Sequence, residues 1–177
     1  MSGAQVTTYT RQENSSAATE FKRIVNYLLL NEFRERVLDE LMAKFGMREK
    51  ELFGRYYIPI NKLELLKDGG MLIGAHDATH RVLSTLSISD QHSEIARSFA
   101  FLDRVLSPQP ARTFCYPFAA PHAFTRDTEI LLETAGAAVA FSVEPRDITE
   151  HDIVSRPFSL PRFDCNQLPF GSASGSV

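Results

Sequence analysis

Large apolar side chains are sparse over positions 1–18, where Ser, Thr, Gln and Asn dominate, and this stretch reads as a flexible leader. The pattern changes at Phe21. Phe21, Ile24, Val25, Leu28 and Leu29 recur at helical spacing, which predicts a helix with Thr19 as its N-cap. A second helix is expected from Asn31, with Phe33, Val37, Leu38, Leu41, Met42 and Phe45 on one face and Gly46 at its left-handed C-cap. A short charged helix over 48–53 follows. Another is predicted to open at Asn61 and to stop at Gly69-Gly70.

Beyond position 70 short apolar runs alternate with helical patterns. Met71–Ala75 reads as a buried strand, and Ser87 followed by Asp90 is a capping box for a helix through Ile95, Phe99, Leu102 and Leu106 that ends before Pro108. Thr113–Tyr116 is the next strand. Thr125 opens a helix through Leu131, Leu132 and Ala135 to Gly136; Ala138–Ser142 is a third strand, and Phe158-Ser159-Leu160 begins a fourth. Strands alternating with helices predict an α/β fold with a parallel sheet. Phe99, Phe101, Phe114 and Phe141 are expected in its core. There is no internal repeat and no glycine-rich phosphate loop.

Composition narrows the class. The 177 residues suit one domain, and 44% hydrophobic with 23% charged residues is ordinary for a globular protein. Nineteen basic against 22 acidic residues, a net charge of -3, argue against an electrostatic nucleic-acid binder. The longest apolar stretch, 24–30, is interrupted by Asn26 and too short to cross a bilayer, and no secretion signal precedes it. Two cysteines, Cys115 and Cys165, are too few for a disulfide framework or a cysteine-built zinc site, and read as small buried hydrophobes. A reduced, cytoplasmic domain is the expectation.

The chemistry concentrates in Gly74-Ala-His76-Asp-Ala-Thr-His80. Two histidines stand four apart just beyond a predicted strand end, where α/β folds bind ligands. At that spacing both imidazoles can reach one point, as a divalent metal requires. A histidine pair in a loop is more often merely solvated, and a zinc site needs a third ligand; the strand-end position brings the two readings level.

The segment from Gly70 to Ser87 resembles the second motif of the polysaccharide deacetylase family, His-Ser/Thr-x-x-His followed by Leu and a Ser-capped helix. Phe114-Cys-Tyr-Pro-Phe-Ala119 is similar to that family's groove-wall motif, and Ala140–Pro145 and Leu160–Pro169 continue the likeness. The resemblance implies an incomplete (β/α) barrel: one partial domain over 19–177, with a helical insertion at 19–56, βα units at 57–170 and a tail at 171–177. It also implies a hydrolase of non-peptide carbon–nitrogen bonds that removes N-acetyl or other acyl groups from a carbohydrate. Carried over by position, His76 and His80 are metal ligands, usually for zinc, and Tyr116, Pro117 and Phe118 form the substrate groove, with the Tyr116 N–H an oxyanion donor.

The departures are large. The family's Thr-Phe-Asp-Asp-Gly motif, source of a metal Asp and the base, has no counterpart, since no Asp precedes Asp39 and no Asp-Asp occurs. No histidine follows His151, so the late acid is absent too. No catalytic residue is identified, and the metal is expected to be weakly held or absent. His122 is a speculative third ligand or substrate contact. Asp77 is expected to bond a neighbouring backbone N–H, and Asp164 to pair with Arg162 or cap a turn. Two alternatives stand beside impaired hydrolysis: a degenerate, non-catalytic carbohydrate- or partner-binding module, and a helical interaction protein working through 20–46. An incomplete barrel also leaves an open sheet edge for self-association.

Overall fold

The computed structural model describes residues 14–53, 55–118, 120–164 and 167. They form two compact units that divide between Gly70 and Met71. The first thirteen leader positions, Cys165 and the 171–177 tail lie outside the described residues.

The first unit is helical. Helix α1, Ser16–Arg23, begins inside the predicted leader because Ser15, rather than Thr19, is its N-cap, accepting the Ala18 N–H at 3.2 Å. Thr19 already donates its N–H to the Ser15 carbonyl. The predicted continuation to Leu29 loosens into a π-helical turn, Ile24–Leu28. Helix α2, Asn31–Lys44, has Leu30 as its cap residue and Asn31 as its first helical one. Gly46 follows it at φ +66°, as a left-handed C-cap requires. Helix α3 covers Glu49–Leu52, and α4, Ile60–Asp68, starts behind Pro59 rather than at an Asn61 cap. The apolar stripe of α2 is not a core. None of its residues is buried, and Val25 is the only buried hydrophobic residue among those described in this unit.

The second unit holds the sheet. Helix α5, Ile88–Leu106, is capped as expected: Ser87 Oγ accepts the Asp90 N–H at 3.1 Å and donates to its carboxylate at 2.7 Å. Strand β1, Thr113–Cys115, pairs in parallel with β2, Val139–Phe141, with Phe114 opposite Ala140. Helix α6, Arg126–Thr134, joins them behind a Thr125–Thr128 capping box. Helix α7, Glu150–Ser155, follows β2 behind a second box, Thr149 with Asp152, which the pattern reading passed over. Two further parallel segments flank the pair through single bridges, Ala75 to Phe114 and Leu160 to Phe141. The spatial order thus follows the chain order, each neighbour reached across a helix.

Met71–Ala75 is not the buried strand its sequence predicts. The Gln109 side-chain amide occupies Ile73, accepting from its N–H at 3.0 Å and donating to its carbonyl at 3.1 Å, where a strand would bond backbone. Met71 and Leu72 are exposed, and Ala75 alone is buried. The core lies between sheet and helices, where Val82, Leu83, Ile95, Phe99, Leu106, Phe114, Leu132 and Ala140 are buried; full burial of a side chain the size of Phe114 contributes about 2–3 kcal/mol. Phe101 is not part of it. Its ring is exposed and carries the Arg104 guanidinium. The described residues combine helices with a two-stranded parallel sheet. No helix among them is long and apolar enough to cross a membrane.

Candidate functional site

Ala75 delivers His76 to the carboxyl end of the sheet. Its N–H and carbonyl are held by Thr113 and Cys115 of β1 at 2.8 and 2.9 Å, so the next residue emerges beside the end of that strand. There His76 Nδ1 lies 2.7 Å from the Cys115 carbonyl oxygen. A carbonyl only accepts, so Nδ1 carries the proton and Nε2 keeps its lone pair. Burial holds the His76 imidazole below its usual value, and the Arg162 guanidinium pushes it the same way. Neutral, oriented through Nδ1 and open at Nε2 is the form in which histidine binds metal.

The turn that carries both histidines is built from polar side chains. Asp77, at φ +69°, accepts the Ala78 N–H on one carboxylate oxygen at 2.5 Å and the Arg81 N–H on the other at 3.0 Å. This is the turn role expected of it. Glu94 on α5 takes the Thr79 N–H at 2.8 Å and its hydroxyl at 3.0 Å, and bonds Asp77 as well. Burial first, then the Glu94 neighbour, pushes Asp77 up to about 7, while Glu94, which accepts from Asp77 and Thr79, is held low. Sequence reasoning missed Glu94. Its signal was present: Gln91, Glu94 and Ser98 share helical spacing with the inward face of Ile95 and Phe99 and are buried with it.

His80 closes the turn at φ +55°, its ring centroid 5.0 Å from that of His76 with the planes at 65°. Two imidazoles sharing one tetrahedral zinc through nitrogens at about 2.05 Å hold their centroids roughly 5 Å apart. The centroid separation is of that size, and the pair supplies two of the four ligands a tetrahedral ion takes. No group of three His, Cys, Asp or Glu able to hold a metal occurs among the described residues, and His122 is not brought into one. His122 is half-buried, its carbonyl accepting the Ser84 hydroxyl at 2.6 Å.

The three residues of the groove motif separate. Tyr116 and Pro117 are fully buried. The Tyr116 N–H, expected as an oxyanion donor, is given to the Phe141 carbonyl at 3.2 Å; its hydroxyl donates to Phe158, and its ring stacks on Phe124 at 3.8 Å. Burial pushes its phenol well up. Tyr116 anchors the sheet end. Phe118 does reach the histidines, its ring edge-to-face with His80 at 4.8 Å. Asp77, His80 and Phe118 are the non-glycine residues at positive φ among those described, and all three border this site. Each such backbone costs on the order of 1–3 kcal/mol, and strain of this kind gathers at functional positions.

Cys115 is half-buried rather than buried. Burial raises its thiol, and Arg162 lies against the sulfur. Arg162 also pairs with Asp164, as the sequence suggested. No protein-family model matches the chain, and no curated protein matches it in sequence. In fold it is similar to a Streptococcus pyogenes deacetylase, PplD, solved in complex with acetate, with a TM-score of 0.56 at 17% identity over 72% of this chain. The match spans 57% of that deacetylase's length. At this identity the likeness establishes a deacetylase-like fold.

Proposed function

We propose that the chain carries part of a barrel of the polysaccharide deacetylase type, and that its histidine pair belongs to a divalent-metal centre for deacylating a carbohydrate. The observation that carries this reading is the imidazole pair itself: centroids 5.0 Å apart, at the carboxyl end of a parallel segment, with His76 fixed through Nδ1. The sequence motifs and the deacetylase-like fold support it from two further directions.

His76 and His80 would hold the ion, zinc by preference. Bound there, it supplies polarisation of an acyl carbonyl and a lowered pKa for water. The chain's own residues do the rest. The Cys115 carbonyl sets the His76 tautomer, while Asp77 and Glu94 keep the turn in the shape that brings the rings together. A general base is not among these groups. Both Asp77 oxygens are engaged by backbone N–H groups, and Asp164 is held by Arg162. Hydrolysis by this chain is accordingly expected to be poor.

Those engaged carboxylates also favour a second reading, a non-catalytic carbohydrate-binding module. Binding of an N-acetylated chitooligosaccharide, measured with zinc and with a chelator, separates the two. The metal-centre reading predicts binding that zinc strengthens and that His80→Ala abolishes, with acetate release near background. Equal binding in chelator supports the module. Absence of binding under both conditions contradicts both.

A further inference from the structure

Between α3 and α4 a short turn presents large apolar side chains to solvent. Phe53, Tyr56, Tyr57, Ile58 and Ile60 are each more than half exposed. Their placement is nonetheless fixed. Arg55 and Tyr56 donate their N–H groups to the Leu52 carbonyl at 3.2 and 3.0 Å, and the Phe53 and Tyr57 rings stack at 6.0 Å. Pro59, the cap residue of α4, keeps Ile58 out of the helix. Single exposed apolar residues are ordinary on a protein surface, but a contiguous group held in one turn marks an interaction site.

Charge selects the occupant. Over positions 44–62 Lys44, Arg48, Lys50, Arg55 and Lys62 stand against Glu49 and Glu51, a positive surplus in a chain whose net charge is -3. All seven are exposed. Glu51 is paired with Arg48, and the Arg55 guanidinium lies over the Tyr56 ring, 5.2 Å from its centroid. Lysine is depleted at the cores of protein–protein interfaces. Aromatic and aliphatic side chains ringed by Lys and Arg instead match the boundary between lipid headgroups and acyl chains.

We propose that Phe53, Tyr56, Tyr57, Ile58 and Ile60 form a docking surface for an anionic lipid membrane, on which the chain lies peripherally. The rings and isoleucines enter the headgroup boundary, and the surrounding cations meet the negative headgroups. Each basic residue close to such a surface strengthens binding about fivefold, and salt screens the gain. The proposal is independent of the histidine pair and of any bound ion.

The experiment is vesicle sedimentation of the full chain, with vesicles of phosphatidylcholine alone and of phosphatidylcholine mixed with phosphatidylserine. The chain contains no tryptophan, so Tyr57→Trp adds a single fluorescent reporter in the turn. Wild type should bind the mixed vesicles about tenfold or more tightly than the neutral ones, with the difference shrinking as salt rises. The Tyr57→Trp emission should shift to the blue on the mixed vesicles, as a ring leaving water does. Lys50→Glu with Lys62→Glu, and separately Tyr56→Ser with Ile58→Ser, should melt as wild type does yet bind the mixed vesicles about tenfold or more weakly. No binding to mixed vesicles, equal binding to both kinds, or a bound Tyr57→Trp with unshifted emission overturns the proposal. So does self-association that Tyr56→Ser with Ile58→Ser abolishes while vesicle binding persists, which would assign the surface to a second copy of the chain. Should a double variant melt early, the lipid comparison and the tryptophan shift in otherwise unaltered chain still decide.

Discussion

At His76 the Cys115 carbonyl, 2.7 Å from Nδ1, fixes which nitrogen keeps a lone pair, and at Gly74 a close approach fixes where that histidine emerges. A Cβ on Gly74 would stand 2.6 Å from Thr113 Oγ1 and 3.2 Å from the Thr113 carbonyl oxygen. The hydroxyl can rotate away, but the carbonyl is tied to the Ala75 N–H. Gly74→Ala should therefore cost about 1–3 kcal/mol in denaturant unfolding through overpacking, and weaken zinc binding by moving His76. Unchanged stability would show that the Ala75 bridge yields easily. Asp77 illustrates what residue type can reveal. An Asp beside a ligand-like histidine suggests a turn bond and no more; that Glu94 raises its pKa is invisible in the sequence because the partner lies seventeen positions on.

Elements hold the site through buried polar groups. Glu94 ties α5 to the histidine turn, and Gln91 ties α5 to α6 by accepting the Thr128 hydroxyl at 2.6 Å. Glu94→Ala strands the Thr79 N–H and leaves Asp77 alone, so a loss of about 1–3 kcal/mol is expected, with a weaker zinc isotherm. Stability equal to wild type would place the turn under other control. Helix α7 is held by charge. Arg146 forks onto Asp152 at 2.7 Å through both terminal nitrogens, and Thr149 donates to the same carboxylate. Its partners Arg146 and Thr149 hold Asp152 well below the usual carboxylate range. A depressed folded pKa contributes stability that is present above about pH 4 and lost as pH falls through the folded value. Asp152→Asn should thus melt below wild type at neutral pH, with the difference shrinking in acid. A difference independent of pH would contradict this account of the network. The α5, α6 and α7 caps were all written as Ser or Thr three residues before a polar partner, and two of the three were recognised as helix starts from pattern alone.

For the whole molecule, periodicity disclosed the alternation of helix and parallel strand because each βα unit carries its own turn signals. It did not disclose that Met71–Ile73 would leave the ladder, since nothing in that apolar run announces that a side-chain amide from Gln109 takes its place. Nor did it disclose that the amphipathic stripe of α2 would stay half-exposed. The candidate site was legible as two histidines and a Tyr-Pro motif. All three motif residues were expected in the groove; which of them reaches the histidines depended on strand register, since Tyr116 lies in the ladder with Phe141 while Phe118 meets His80. The outer segments of the sheet each make a single bridge, and Met71 and Leu72 are exposed beside one of them. Such an edge invites pairing with another chain. Sedimentation velocity over a wide concentration range should show self-association, and a monomer throughout would mean that the edge is protected.

The central proposal is that His76 and His80 share one ion. X-ray absorption at the zinc edge, on the full chain with one equivalent of zinc, tests it most directly. The account predicts two imidazole nitrogens at about 2.0–2.1 Å, no sulfur shell near 2.3 Å, and loss of one imidazole in His76→Ala. A sulfur ligand, a single imidazole, or a spectrum that His76→Ala leaves unchanged would contradict it.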